Sequence, residues 1–508
     1  MDKKRSLLNV GVSIAFKLIV LLCTILTKRY VIRYLGNDIN GLYSLYVSIL
    51  STLAVAELGI GSAITFCMYK PIVEKNSEMV SALYHLFTKI YLFVGGIILA
   101  AGIAVMPFLP TLAKGYENTV ENLYLTFGLM LIATVLTYLF SSKSSLINAY
   151  KDNYITTSIT SVAHIIRSLL QILSVIVFNS FSVYLICEII SVTFQWIATE
   201  FIVRKQHQDI IQSKYKRIDT ETKNEVVKNV KAMFMHKIGG VLVNTSDSLI
   251  ISAFIGITIL GKYSNYVLIM TAAISLFSLL FTPLTSVIGH MFVESPNEAK
   301  KYFEFFHSFN FIVGMILSLG YYAIVNNLID LLFKVGLNLP RSVVLIVTIN
   351  YYIQFLRHAG LLFRDASGMF YYDRWKPAVE GVFNIVLSIT FVNIFPEEYN
   401  VVGVIVATII TNLLICHVVE PYVLYKHAFK SSVRPYLLKN YFFIAVFIIA
   451  LFILDKAMLN YDSSIKELLI NGLISVVISS IVLAGLLITD KQFRHFAGIA
   501  TTTVLRIK

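Results

Sequence analysis

Long apolar runs alternate with short polar breaks along the whole chain. A helix needs about 20 apolar residues to cross a bilayer. A window of that length picks out fourteen runs, at 9–34, 41–69, 83–106, 121–140, 154–178, 181–203, 234–255, 262–290, 304–333, 342–363, 377–395, 400–424, 437–454 and 467–489. The pattern predicts an all-α polytopic membrane protein with both termini on one side.

The polar residues inside these runs follow a pattern of their own. In "TSITSVAHIIRSLLQILSVIVF" they fall at Thr157, Thr160, His164, Arg167, Gln171 and Ser174. Steps of three and four place them on one narrow helical face, while Ile165, Ile166, Leu169, Leu170 and Leu173 cover much of the remainder. An arginine at the bilayer centre costs about 2.5–3.5 kcal/mol on insertion scales. The stripe is therefore expected to face a wet cavity. The alternative is an arginine joined to a carboxylate, with Glu188 as its partner.

The first run repeats the theme. Lys17 and Lys28 stand three helical turns apart on one face, and Arg29 and Arg33 form an i, i+4 pair on an adjacent one. Arg33, Lys17 and Lys89 of the third run lie near enough to a surface to snorkel. In the tenth run Asn350, Gln354 and Arg357 form a shorter stripe followed by His358. Buried acids are fewer: Glu57, Asp247 and Glu188. The candidate substrate-binding set is Lys17, Lys28, Arg29, Arg33, His164, Arg167, Gln171, Gln354 and Arg357. Glu57, Asp247 and Glu188 are the candidate ion-coupling groups, for a proton or sodium gradient. Pairing of these acids with the cations is the alternative.

Composition agrees with this pattern. The 508 residues are 57% hydrophobic and 14% charged, against about 25% charged in soluble chains. The first apolar run is too long for a signal peptide's h-region, so no cleavable leader is expected. Cys23, Cys67, Cys187 and Cys416 all lie in apolar runs without a CxxC pair, and read as small core hydrophobes. No nucleotide loop, HExxH or metal-spaced His/Cys cluster occurs, so no enzyme, cofactor or metal site is expected. "RDASGMFYYDRW", with Asp365 and Asp373, reads as a solvated turn.

Charge orients the spans. With a cytoplasmic N-terminus, 27 of the 42 Lys and Arg fall in cytoplasmic segments and five in outer loops, a strong positive-inside bias. The net charge of +13 is then topology plus contact with anionic lipids, and nucleic-acid binding is not expected. The longest polar stretch, Arg204–Lys231, divides six spans from the rest.

An internal repeat supports the same division. "GNDINGLYSLYV" at Gly36–Val47 and "GITILGKYSNYV" at Gly256–Val267 match at seven of twelve positions with a constant offset of 220. Both copies stand at the outer junction of the first and second spans of a six-span block. The repeat is parallel, with an axis along the membrane normal and a site expected near the midplane. The expected organisation is an N-lobe at 1–203, a basic linker at 204–231, a C-lobe at 232–425, a two-span appendage at 426–489 and a cytoplasmic tail at 490–508.

The span ending "RYLG", followed by "NGLYSLYVSILSTLAVAELGIGSAI" and later "NTSDSLIISAFIGITILGKYSNY", resembles the Wzx-type flippases. These are polysaccharide transporters of the multidrug/oligosaccharidyl-lipid/polysaccharide (MOP) exporter superfamily. The resemblance implies two six-helix lobes around a central cavity, with two extra C-terminal helices. It implies transport, in the bacterial cytoplasmic membrane, of an undecaprenyl-diphosphate-linked oligosaccharide from the inner to the outer leaflet, for capsule, O-antigen or exopolysaccharide. A polysaccharide polymerase and chain-length machinery are the implied partners. The related lipid II flippases carry cavity arginines on the first span, matched here by Arg29 and Arg33. They also carry one on the second span, where this chain has Glu57 and no basic residue in the core. A lipid II flippase and a multidrug cation antiporter are the alternatives within the fold. A membrane glycosyltransferase or polymerase would need a large outer loop.

The orientation is testable by cysteine labelling. Residues 206–228 should be reachable only from the cytoplasm and the turn at 256–261 only from outside. Labelling of that turn in inverted vesicles, with none in intact cells, would reverse the topology.

Overall fold

The computed structural model describes residues 3–212 apart from 58, 59 and 120, and residues 245–498 apart from 282, 283, 370, 371, 460–464, 492, 496 and 497. Most of the expected basic linker, the start of the seventh span and most of the tail lie outside them. The described residues are overwhelmingly helical, as hydrocarbon requires of a chain that must satisfy its own backbone groups. Among the described residues, ten helices are long and apolar enough to cross a membrane.

The chain forms two compact units, Met1–Ser264 and Asn265–Lys508. In the first, α1 is Lys3–Tyr34, α2 Asn37–Leu53, α3 Ile60–Val73, α4 Ser77–Val105, α5 Leu123–Ala149, α6 Asn153–Phe178 and α7 Phe181–Gln206. A short apolar helix, α8, covers Thr245–Ile255, and α9 begins at Ile257 and runs to Phe281. Helix α6 packs along both α7 and α1, and α5 along α4 and α7. Leu169, Leu173 and Phe178 on α6 are exposed, whereas Ser168, Gln171 and Ser174 are buried. The polar stripe thus turns into the protein and the leucines turn out, as the periodicity requires.

The second unit contains α10 Leu284–Glu294, α11 Pro296–Leu332, α12 Arg341–Leu356, α13 His358–Ser367 and α14 Lys376–Ile394. It is completed by α15 Glu397–Ala428, α16 Arg434–Ala457 and α17 Ile465–Thr489. The last two helices, expected as an appendage, are bolted to α11 and to the start of α12. Arg341 Nε meets Asp455 Oδ1 at 2.5 Å, His307 meets Asn440 at 3.1 Å, and Ser308 donates to Asp490 at 2.7 Å. Burial would raise the Asp490 carboxyl, but the Lys439 ammonium and the Ser308 and Phe493 donors outweigh it and hold it below its usual range.

Two spans expected to be continuous change course. The second tightens from α2 into a 3-10 turn at Ala54–Glu57. The tenth breaks at Arg357, where Asn310 Nδ2 caps the carbonyls of Phe355 at 2.8 Å and Leu356 at 3.1 Å. The carbonyls freed at Arg357 are held inside protein, where irregular backbone is tolerated.

The division between units falls inside α9, later than the 204–231 segment that the sequence suggests. Just before it, the start of α9 crosses closely with α2. A Cβ on Gly41 would overlap the Ile257 carbonyl and lie 3.0 Å from the Gly261 amide nitrogen, and one on Gly261 would overlap the Asn37 carbonyl. Both helices start after a glycine with positive φ, Gly36 at 94° and Gly256 at 131°, conformations that side chains disfavour.

Helix starts elsewhere are capped from a distance. Glu121 accepts from the Phe181 amide at 2.7 Å, satisfying an orphan backbone donor of α7, and from the Ser182 hydroxyl at 3.0 Å. Glu121→Ala should lower stability by about 1 kcal/mol, and Glu121→Gln, which keeps an acceptor, by less. Thermal unfolding in detergent measures both, and equal midpoints for parent and Glu121→Ala would refute the cap.

Candidate functional site

The first unit gathers most of the candidate cations. Lys17, Lys28 and Arg29 are half-buried on α1, while Arg33 is exposed near its end, as snorkelling would place it. Helix α6 lies against α1 and supplies His164, Arg167 and Gln171. His164 and Arg167 are half-buried and Gln171 is buried. Thr160, the second residue of the stripe, is exposed.

Arg167 is paired. Its Nη1 donates to Glu188 Oε1, and Gln171 Nε2 donates to Glu188 Oε2 at 3.2 Å. The arginine side chain remains 22% exposed and Glu188 13%. Its Nε is buried without a hydrogen-bond partner. His164 Nδ1 lies 3.4 Å from Ser168 Oγ. Tyr43 and Tyr184 stand edge to face at 5.8 Å, within electrostatic reach of the pair. Both readings weighed for Arg167 therefore have a physical basis: it holds α6 to α7 through Glu188, and it keeps donor capacity that the carboxylate does not use.

The other acids lie apart from it. Glu57 is half-buried in the 3-10 turn of the second span, within electrostatic reach of Tyr91 and Tyr138. Asp247 is buried in α8. Beside it Thr245 Oγ1 meets Thr52 Oγ1 of α2 at 2.8 Å.

The second unit holds a denser charge cluster. Arg357, at the break between α12 and α13, presents a fork to Glu420: Nη2 to Oε1 at 2.6 Å and Nε to Oε2 at 3.2 Å. Its Nη1 donates to Asn412 at 2.5 Å and stands 3.5 Å from Glu380. Lys376 Nζ closes the set, 2.7 Å from Glu380 and 2.5 Å from Glu420. Two cations and two carboxylates thus balance in a buried site. Gln354 instead donates to Asn350 at 3.1 Å, keeping that part of the stripe within α12. A cavity of about 330 Å³ opens beside the break, lined by Phe277, Ser278, Asn310, His358 and Asp365, with His358 Nε2 3.0 Å from Ser278 Oγ.

Glu380, Glu420 and Lys376 were not singled out from the sequence. Their signal was present: Lys376 and Glu380 are spaced i, i+4, and Glu420 falls inside the twelfth apolar run. Each sits within four residues of the end of a run, where a charge ordinarily reaches water. The segment read as a solvated turn is also different. Asp373 is fully buried and paired with Arg364 at 2.8 Å, while Asp365, on the other side of that arginine, is exposed. Among the described residues no cluster of His, Cys, Asp and Glu could hold a metal, and the four cysteines are free, two buried and two half-buried.

The Arg357 cluster should be fragile to neutralisation of one member. Glu420→Gln leaves two buried cations sharing the Glu380 carboxylate and should destabilise by about 3–5 kcal/mol, read as a fall in detergent-solubilised folded protein and in its unfolding midpoint. Adding Lys376→Met should recover part of the loss. Full stability of Glu420→Gln alone would show that water already solvates the cluster.

No protein-family model matches the sequence, and no curated protein does. Solved structures do. The lipid II flippase MurJ, in an inward closed conformation, matches with a TM-score of 0.64 at 15% identity, over 94% of this chain and 99% of that one. An inward-facing multidrug resistance MATE-family transporter of the MOP superfamily matches at 0.61 and 12% identity, over 80% and 96%. A MOP-superfamily transporter from Pyrococcus furiosus matches at 0.52 and 12%, over 82% and 94%. The structural neighbours are MOP-superfamily transporters, and the chain has their MATE- and MurJ-like helical fold.

Proposed function

We propose that this protein is a flippase that carries an undecaprenyl-diphosphate-linked oligosaccharide from the inner to the outer leaflet of the bacterial cytoplasmic membrane, with both termini cytoplasmic. The observation that carries the reading is the surplus of cations in the first unit. Lys17, Lys28, Arg29 and Arg167 outnumber the core carboxylates Glu57, Glu188 and Asp247, and α1 and α6, which bear the cations, lie side by side. A lipid diphosphate is dianionic and must leave water to cross. Guanidinium and ammonium groups in a wet cleft replace its hydration, and arginine offers a fork to phosphate oxygens.

The extent of the fold likeness points the same way. The MurJ structure, described as a lipid II flippase, covers 94% of this chain, whereas the MATE structure covers 80%. A cation antiporter would be expected to line its pathway with acids rather than with this surplus. Polarity varies within the fold: the Pyrococcus furiosus transporter is described as having a binding pocket of reverse polarity. Glu57, in place of a base on the second span, favours a glycan other than lipid II. Glu57, Asp247 and Glu188 are the groups proposed to couple transport to a proton or sodium gradient. A polymerase and its chain-length machinery would receive the product.

Arg167 tests the assignment, with Glu188 as its control. Arg167→Ala should leave protein in the membrane but reduce flipping of a fluorescent lipid-diphosphate oligosaccharide in proteoliposomes by at least tenfold, a factor equal to about 1.4 kcal/mol. Arg167→Lys should retain part of the activity, and Glu188→Gln should retain most of it, since the cation survives. If Arg167→Ala instead lowers protein abundance and the double change with Glu188→Ala restores both abundance and transport, the arginine is structural and the reading loses its principal support.

A further inference from the structure

The break between α12 and α13 closes around its own backbone. Asn310 holds the carbonyls of Phe355 and Leu356, and His417 Nε2 donates to the Ile353 carbonyl at 3.0 Å. His358, the first residue of α13, is drawn into neither this set nor the Arg357 cluster. Its Nε2 lies 3.0 Å from Ser278 Oγ on α9. The single proton of that hydroxyl goes to the Ile274 carbonyl at 2.9 Å, so toward the ring it can only accept. Nε2 therefore carries the ring hydrogen, and Nδ1 keeps the lone pair that can take up a proton.

The ring is half-buried and lines the cavity of about 330 Å³ beside the break. Asp365 lines it too. It stands two turns further along the same face of α13, and its side chain is 47% exposed. The cavity thus joins the ring to a carboxylate at the surface, on the cytoplasmic side in the orientation proposed above. Ser278, Thr285 and Asn310 add polar lining, and such a space admits several waters.

The charged groups around the ring come from three helices. Arg357, its neighbour in the chain, comes from the end of α12; Asp365 comes from α13, with Arg364 bound to its carboxylate. Helix α15 brings Glu420, held by Arg357 and Lys376, and His417, turned to Ile353. The cavity linings from α9, α10 and α11 are aromatic, hydroxyl and amide side chains. A proton on His358 therefore sets one extra positive charge beside a cluster whose two cations and two carboxylates balance. States of the protein that hold Arg357 differently bind that proton with different affinity.

We propose that His358 Nδ1 is a proton-binding site of the second unit and that the cavity is its path to the cytoplasm. Release breaks the Nδ1–H bond, water in the cavity takes the proton, and a neutral imidazole stays bonded to Ser278. In alternating access the same atom is reloaded from the outer side, so that proton entry is linked to substrate export. The coupling rests on the transporter reading and the proposed orientation; the proton site itself does not. It adds a group of the second unit to the coupling acids Glu57, Glu188 and Asp247.

Two measurements separate the site from the coupling. In the first, the purified full chain in detergent is titrated from about pH 8 to about pH 4, and proton uptake is read with an indicator dye. His358→Gln keeps a donor for Ser278 but has no basic nitrogen, and should take up about one proton fewer per chain than the parent. Equal uptake would overturn the site. In the second, proteoliposomes carry a proton gradient directed toward the cytoplasmic face, and flipping of the lipid-diphosphate probe is followed. The gradient should speed the parent about fivefold, the low end of typical coupling between sites, and should have no effect on His358→Gln. Asp365→Asn should keep the response but move its midpoint about half a unit to lower pH, because the carboxylate that favours the imidazolium is gone. That variant decides the matter even where His358→Gln fails to reach the membrane. A full gradient response in His358→Gln, or an unshifted midpoint in Asp365→Asn, would overturn the coupling through His358. A parent that flips the probe with no response to protons would overturn it too and leave the flippase standing. A parent that flips no probe would remove the flippase reading, and proton uptake would still decide the site.

Discussion

Every ionised group inside an apolar helix needs a partner or water, and most of this architecture follows from how that need is met. In the second unit it is met internally. Arg357 and Lys376 balance Glu380 and Glu420, with Asn412 occupying a further donor. Such a cluster cannot form on one straight helix; it draws on α14, α15 and the break at Arg357. The break is in turn stabilised by the Asn310 amide on the two freed carbonyls. A charge network and an irregular backbone are thus parts of one solution. Replacing either with apolar residues would require rebuilding the other.

The first unit meets the need differently. Glu188 offsets Arg167, but three further cations on α1 stand half-buried beside α6. Arg167 and Arg357 looked alike from the sequence, each in a 3, 4 stripe near midspan. One is a fork fully engaged by a carboxylate and an amide; the other keeps an unpaired Nε.

The sequence carried the spans, the faces of α6 and the repeat, because each is a periodic signal spread over many residues. It also carried both readings of Arg167, since Glu188 lies on the next span at a similar depth. It did not carry the irregularities in the second and tenth spans. A helix that bends inside protein keeps its apolar composition, and hydropathy cannot see the bend. Glu420 and Lys376 were missed for a related reason. A charge near the end of an apolar run reads as interfacial, and only tertiary packing decides whether it meets water or another helix. Asp373 makes the same point in a loop: its burial depends on Arg364 folding back nine residues, which no local pattern encodes.

The glycine crossing has a consequence for how the chain is related to itself. In symmetry terms the contact is isologous, as in a twofold dimer: position 41 of one copy meets 257 of the other, and 37 meets 261. Two segments that bind each other through the same surface cannot drift independently, because a bulkier residue in either one displaces both. The seven identities within twelve residues then have a physical cause. The repeat is legible where its copies touch. Asn37 and Asn40 donate to the Thr258 and Gly261 carbonyls, whereas their images Ile257 and Leu260 cannot reciprocate, and this lost reciprocity marks how far a fused dimer can become directional while its backbone contact stays symmetric.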